Sequence, residues 1–150
     1  MMHENLPTTL TNLPMLFGVY LAYSNDDLLT ALCILFVASA SFFSHLIENH
    51  KHGMSGYIVV SKRTSYALNR LDVIGCCIVI TRYIQLIYQY HYVPTFDEVF
   101  VTILAFTLNI ISERDKYNAD LKYFYILIHS IWHLIAAACM YLILKNIYDS

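Results

Sequence analysis

The chain has 150 residues, which is enough for one compact domain and too few for two full ones. Hydrophobic residues make up 58% of it and charged residues only 13%, whereas an ordinary soluble domain is about 25% charged. The formal net charge of −2 provides no basic surface that would attract a polyanion. The composition therefore excludes a disordered chain and a nucleic-acid-binding protein, and it predicts a single integral membrane domain over residues 1–150.

Runs with few charged residues place the predicted membrane spans in chain order. The first run, residues 10–23, contains Pro14 and Gly18 and is followed by a polar turn. The second run, residues 28–47, has no charged residue in 20 positions, which is long enough to cross a hydrocarbon core of about 30 Å. Three more runs follow, and they cover residues 71–90, 99–112 and 121–144.

These five runs predict an all-α protein, a polytopic α-helical membrane bundle with about five transmembrane helices. Backbone groups that face lipid must form hydrogen bonds within their own segment, and a helix achieves this. The runs are too long and too uniformly apolar for the strands of an outer-membrane barrel, which alternate between apolar and polar residues.

Lysine and arginine residues predict the orientation of these spans. With five spans, the N-terminus, the 48–70 loop and the 113–122 loop lie on one side of the membrane, and seven of the nine basic residues fall there. This bias predicts a cytoplasmic N-terminus and a lumenal or external C-terminus, and we favour an endomembrane location. Residues 1–13 contain no lysine or arginine, so we expect no cleavable signal peptide.

Ionisable residues inside a span are energetically costly and usually face the interior of a bundle. His129 and His133 lie four residues apart, on one face of the last predicted helix, a spacing that can place two imidazoles on one zinc ion. Ser41 and His45 repeat this spacing, and Asp72 opens the next run. Each feature also has a simpler interpretation. His129 and His133 could pack against each other, His45 could be solvated at a helix end, and Asp72 could be a carboxylate that the helix dipole favours.

The predicted topology brings these residues from three helices to a similar depth in one leaflet. Three neutral imidazoles can bind a zinc ion and leave its fourth position open to water, as in catalytic zinc sites. The metal lowers the pKa of that water towards about 7. Asp72 is suited to take its proton, and Ser41 to bond the water or a developing oxyanion. Because water is scarce at this depth, a membrane lipid is the predicted substrate.

The motifs Ser41-x-x-x-His45, Leu71-Asp72 and His129-Ser130-Ile131-Trp132-His133 together resemble the CREST superfamily of membrane hydrolases. That group includes alkaline ceramidases, adiponectin-type receptors and GPI-anchor remodelling hydrolases. The resemblance implies that His45, His129 and His133 bind Zn²⁺, that Asp72 positions the metal-bound water, and that Ser41 lies beside it. It also implies a seven-helix core and hydrolysis of a lipid amide or ester, in which the zinc-bound water attacks the carbonyl.

Two other functions are compatible with the same residues. The zinc ion could hold helices together in a non-enzymatic or receptor-like membrane protein, or two histidines could bind a haem iron. Outside the spans, the polar run of Glu48, His50, Lys51 and His52 is predicted to be a solvated loop, and a local metal site is the alternative. Arg82 is predicted to reach the far interface if its helix begins near Tyr66, or otherwise to pair with Asp97, Glu98 or a lipid phosphate.

Overall fold

The computed structural model describes residues 4–150, and all regular secondary structure in that range is helical. This confirms the predicted helical bundle. The helices are α1 (Leu6–Leu10), α2 (Met15–Ser24), α3 (Leu28–Leu46), α4 (Lys62–Gln89), α5 (Phe96–Ser112) and α6 (Lys122–Tyr148), and a 3₁₀ turn at Ala119–Leu121 leads into α6.

Side-chain caps define where three of these helices begin. The Asp27 carboxylate caps α3 and the Ser61 hydroxyl caps α4, while Thr95 and Glu98 form a reciprocal capping box on α5. The run at residues 71–90 does not mark the start of its helix, because the Ser61 cap begins α4 nine residues before Leu71, closer to the alternative start near Tyr66. Asp72 therefore lies about 15 Å along its helix rather than at its first turn.

Within the described part of the chain, three helices are long and apolar enough to cross a membrane. They are α3, α4 and the stretch Ala119–Tyr148. The predicted span at residues 10–23 is divided into α1, a series of turns, and α2, whose N-cap is Pro14. The count of five spans thus remains a prediction.

The N-terminal segment, made of α1 and α2, runs antiparallel to α3 along nearly its whole length. At one end, the Asn5 side chain donates hydrogen bonds to the carbonyl oxygens of His45 (3.1 Å) and Glu48 (2.7 Å), just where α3 finishes. Near the other end, Gly18 lies against Ile34. The two short helices therefore cover the same depth of the bundle as α3 does.

The helices form a ring around the interior. α3 packs against α4 and the N-terminal segment, and α6 packs against that segment and α5. The Tyr83 hydroxyl of α4 closes the ring with a hydrogen bond to the Met140 carbonyl of α6 (2.9 Å). At the α3–α4 crossing, a Cβ atom on Gly75 would lie 3.0 Å from the Val37 Cα, so glycine permits this close approach.

The interior of the ring is apolar in one half and polar in the other. The apolar half is built from buried side chains of α2, α3, α4 and α6, including Ile34, Leu86, Leu144 and Ile147. The polar half lies at the end where α3 finishes, and it contains Asn5, His45, Glu48, Lys51 and His52 together with Asp72, His129 and His133. A buried polar cluster in an otherwise apolar bundle identifies the region of functional interest.

The loops at the two ends of the bundle are held by specific contacts. At the polar end, the His52 backbone N–H donates to the Lys116 carbonyl (2.6 Å), and Lys122 pairs with Glu4 (3.0 Å). These contacts bring the start of the chain, the 47–61 loop and the 113–121 loop to the same end. Which side of a membrane this end faces remains a prediction.

At the opposite end, Asp27 joins three helices. It accepts two hydrogen bonds from Arg82 (3.1 and 3.0 Å) and one from the Tyr148 hydroxyl (2.9 Å), while it also caps α3. Arg82 further donates to the Thr30 hydroxyl (2.8 Å). The partner of Arg82 is therefore Asp27, and the expected alternative of pairing with residue 97 or 98 is wrong.

We predict that Arg82→Gln lowers the free energy of unfolding by about 3 kcal/mol, because it leaves the mostly buried Asp27 carboxylate without its bidentate partner. Thermal unfolding in detergent, followed by circular dichroism, measures this loss. The matched control is Arg114→Gln, because Arg114 pairs with Asp115 at the exposed surface and such pairs contribute about 0–1 kcal/mol. Equal melting temperatures for the two variants would contradict the prediction.

Candidate metal centre

Three buried histidines meet at the centre of the polar half. His45 comes from the last turn of α3, and His129 and His133 come from successive turns of one face of α6. One ring nitrogen from each histidine lies within 4.8 Å of those of the other two. The Nε2 atoms of His45 and His129 are 3.3 Å apart. The structure thus brings together the histidines of two motifs that are 84 residues apart in the sequence.

Each histidine has its outer nitrogen, Nδ1, hydrogen-bonded to a different part of the chain. His45 Nδ1 lies 3.1 Å from Glu48 Oε2, His129 Nδ1 lies 2.9 Å from Ser112 Oγ, and His133 Nδ1 lies 3.2 Å from the Thr8 carbonyl oxygen. A carboxylate and a carbonyl only accept hydrogen bonds, so the Nδ1 atoms of His45 and His133 carry the protons. The Ser112 hydroxyl already donates to the Asn109 carbonyl, so it too accepts.

With a proton on each Nδ1, the Nε2 atom of each ring is the nitrogen that can offer a lone pair to a metal ion. His133 Nε2 is buried and has no hydrogen-bond partner among residues 4–150. Two nitrogens that bind one tetrahedral zinc ion lie about 3.3 Å apart, which is the separation between His45 and His129 here. The three histidines could therefore hold one metal ion, and imidazole nitrogen suits zinc among the common divalent metals.

Asp72 and Ser41 border the histidine cluster on the α4 side. Asp72 Oδ2 lies 3.9 Å from His45 Nε2, and the Ser41 hydroxyl interacts with the Asp72 carboxylate. Cys76, one turn further along α4, has its sulfur 4.0 Å from Asp72 Oδ1. All five residues that the motifs indicate therefore lie together, with a carboxylate beside the three histidines. Their assignment as metal ligands and catalytic residues remains a prediction.

The N-terminal segment contributes to the site, which the sequence analysis did not anticipate. Because the Asn12 backbone N–H donates to the Thr9 carbonyl, the Thr8 carbonyl accepts from side chains instead, namely His133 (3.2 Å), the Thr11 hydroxyl (3.0 Å) and the Asn12 amide (2.9 Å). The Thr11 hydroxyl also lies 3.1 Å from His133 Nδ1. A signal was present, since Asn5, Thr8, Thr9 and Asn12 form a polar stripe with the i, i+3, i+4, i+7 spacing of one helical face.

The loop that follows α3 folds inward, so the expectation that residues 48–52 form a solvated loop is wrong. Glu48 and His52 are 0% and 1% exposed. Glu48 accepts a hydrogen bond from the Tyr125 hydroxyl (2.8 Å) and pairs with Lys51 (3.3 Å), which also donates to Glu113 (2.6 Å). The charged residues of this loop pair with other groups inside the protein. Composition alone cannot distinguish such a loop from a solvated one.

Electrostatic pairing keeps the buried groups of this loop charged. Burial by itself raises the pKa of Glu48, but the neighbouring Lys51 ammonium and the hydrogen bonds from His45 and Tyr125 outweigh it and hold that pKa well below its usual value. Burial lowers the pKa of Lys51, yet Glu48 and Glu113 more than compensate and raise it. An ionised carboxylate therefore lies behind His45.

Comparison with known proteins gives one informative match. No protein-family model matches the chain, and no solved structure matches it. The chain is 44% identical to the uncharacterized protein L282 of Acanthamoeba polyphaga mimivirus, in an alignment of 150 positions that covers 96% of this chain and 98% of the viral protein. This chain therefore belongs to the same family as that uncharacterized mimivirus protein.

Proposed function

We propose that this protein is an integral membrane, zinc-dependent hydrolase that cleaves an amide or ester bond in a membrane lipid, as alkaline ceramidases of the CREST superfamily do. The observation that carries the proposal is the convergence of three inward-facing histidine nitrogens with the Asp72 carboxylate, 3.9 Å from His45 Nε2. The motif resemblance supports the same chemistry. The mimivirus relative is uncharacterized and adds no functional information.

Each group in the site has a defined role in this proposal. A zinc ion, when bound, supplies a Lewis acid that makes water acidic near neutral pH and polarises a carbonyl group. Asp72 Oδ2 accepts a proton from the attacking water and returns it to the leaving amine or alcohol as the C–N or C–O bond breaks. The Ser41 hydroxyl orients the Asp72 carboxylate. The three histidines hold the metal, and their outer hydrogen bonds keep them in the required tautomer.

The proposal includes five membrane spans, with the N-terminal segment as the first. α3, α4 and α6 have the necessary length and hydropathy, and the N-terminal segment and α5 extend alongside them. The polar end of the bundle is assigned to the cytoplasmic side because most lysine and arginine residues lie there. A C-terminus on the lumenal or external side of an endomembrane follows from the odd number of spans.

One observation favours a second function, a non-enzymatic protein in which zinc holds the helices together. His45, His129 and His133 are only 1%, 3% and 0% exposed, so a substrate would require an opening movement to reach them. Structural zinc sites are enclosed in this way. This alternative predicts stability that depends on metal, without catalytic turnover.

Zinc content tests the metal site directly. We expect about one zinc ion per chain in detergent-purified protein, measured by inductively coupled plasma mass spectrometry, and its loss in His129→Ala, because two nitrogens alone bind zinc weakly. The control is His91→Asn, since His91 has a positive φ of 51° that asparagine tolerates and it lies outside the cluster. Full zinc content after replacement of all three cluster histidines would rule out the site.

Hydrolysis of a ceramide-like amide tests the proposed reaction. We expect Asp72→Asn to keep its zinc but to lose turnover by roughly 10²–10⁴-fold, because the amide cannot accept the proton. Ser41→Ala should show a smaller loss, whereas Ser39→Ala, an exposed serine of the same helix, should retain full activity. Fatty acid release by wild type and variants is measured by mass spectrometry. Stoichiometric zinc without any turnover of lipid amides or esters would favour the structural role.

A further inference from the structure

A row of buried charged side chains lies directly behind the histidine cluster. Glu48 is fully buried, and Lys51 is only 4% exposed. Lys51 Nζ lies 3.3 Å from Glu48 Oε1 and 2.6 Å from Glu113 Oε1. One ammonium group therefore joins two carboxylates that come from different loops of the polar end.

The two carboxylates face two different rings of the cluster. Glu48 Oε2 lies 3.1 Å from His45 Nδ1, and Glu113 Oε1 lies 3.9 Å from His129 Nδ1. Only Glu48 is within hydrogen-bond distance of its histidine, since His129 Nδ1 bonds Ser112 instead. Among residues 4–150, Glu48 is thus the one charged group that is hydrogen-bonded to the outer nitrogen of a cluster histidine.

We propose that Glu48 is a positioning residue that sets the metal affinity of the site, an inference that rests on the metal site proposed above. Its carboxylate fixes the tautomer and ring orientation of His45. It also makes His45 Nε2 a stronger electron-pair donor to a metal ion, as outer carboxylates do for metal-bound histidines. Lys51 and the Tyr125 hydroxyl hold the carboxylate in place from two other directions.

Glu48 lies where a negative charge destabilises α3, so its carboxylate does not serve to stabilise that helix. It follows the end of α3 at Leu46, where the helix dipole repels a negative charge. The burial of an ionised carboxylate adds a further cost. Lys51 offsets both effects, and Asn5 fixes the same turn by donating to the Glu48 carbonyl. Residues from separate segments thus stabilise one charged carboxylate beside His45.

Metal titration of apo protein tests this inference. Detergent-purified protein is stripped with a chelator and titrated with Zn²⁺ in competition with a chromophoric chelator, and with Co²⁺ followed by its visible absorption. Glu48→Gln preserves the shape of the side chain but removes its charge. We expect the dissociation constant for zinc to rise roughly 10–100-fold and the cobalt bands to shift, because His45 becomes a weaker donor.

The matched control is Glu98→Gln at the opposite end of the bundle. Glu98 is also buried, and it accepts hydrogen bonds from Tyr92 (2.7 Å), the Thr95 backbone (2.7 Å) and Asn146 (2.9 Å). Its replacement removes a comparable buried charge far from the histidines, so zinc affinity and the cobalt spectrum should match those of wild type. If zinc affinity fell only because the protein was destabilised, it would fall in both variants.

Each outcome of the experiment has a distinct meaning. In Glu48→Gln, Lys51 still pairs with Glu113, so the ammonium charge remains balanced by a carboxylate. If this variant nevertheless fails to fold, Glu48→Asp keeps the charge on a shorter side chain, and we expect an intermediate loss of zinc affinity. Wild-type affinity and an unchanged cobalt spectrum in a folded Glu48 variant would overturn this inference alone. Absence of zinc and cobalt binding in wild type would overturn the metal site itself.

Discussion

The rest of the polar half depends on one constraint, the mutual approach of three imidazole nitrogens in a buried space. Lone pairs that face one another at 3.3 Å repel unless a cation or a shared proton lies between them. The constraint also affects residues around the cluster. Each ring must carry its proton on Nδ1, and that N–H group requires a hydrogen-bond acceptor. The acceptors come from the loop after α3, the end of α5 and the N-terminal segment. Elements far apart in the sequence are thus fixed by one small cluster.

The separation of polar and apolar halves follows from the cost of burying polar groups. An unpaired buried donor or acceptor costs about 1–3 kcal/mol, so the polar groups of this bundle are concentrated where they can pair with one another. Lys51 and Asn5 each serve two partners from different segments. The other half packs aliphatic side chains around α6, where Leu144 and Ile147 are fully buried. The ion pair of Arg82 with Asp27 lies at the rim of this half.

The helical architecture was predictable from hydrophobicity, and the proximity of the five candidate residues was predictable from their spacing and from helix direction. Residue pairs four apart, such as His129 and His133, must share a helical face, and the alternation of helix direction brings Ser41 and Asp72 to the same end. The start of α4 was not predictable from charge, because the cap at Ser61 decides it. The role of the Thr8 carbonyl was invisible, since a backbone group has no sequence signature and becomes available only where the helix breaks.

The arrangement of helices shows how a short chain can assemble such a site. Between α4, which carries Asp72, and α6, which carries the histidine pair, the chain has one α-helix, α5, and the 3₁₀ turn. α5 packs on the outside of α6 and reaches the cluster only through Ser112 at its C-terminal end. The space between α3 and α6 is instead filled by the N-terminal segment, which contacts both helices. Three long helices and one broken one therefore suffice to enclose the cluster, and the break in the fourth supplies the carbonyl that orients His133.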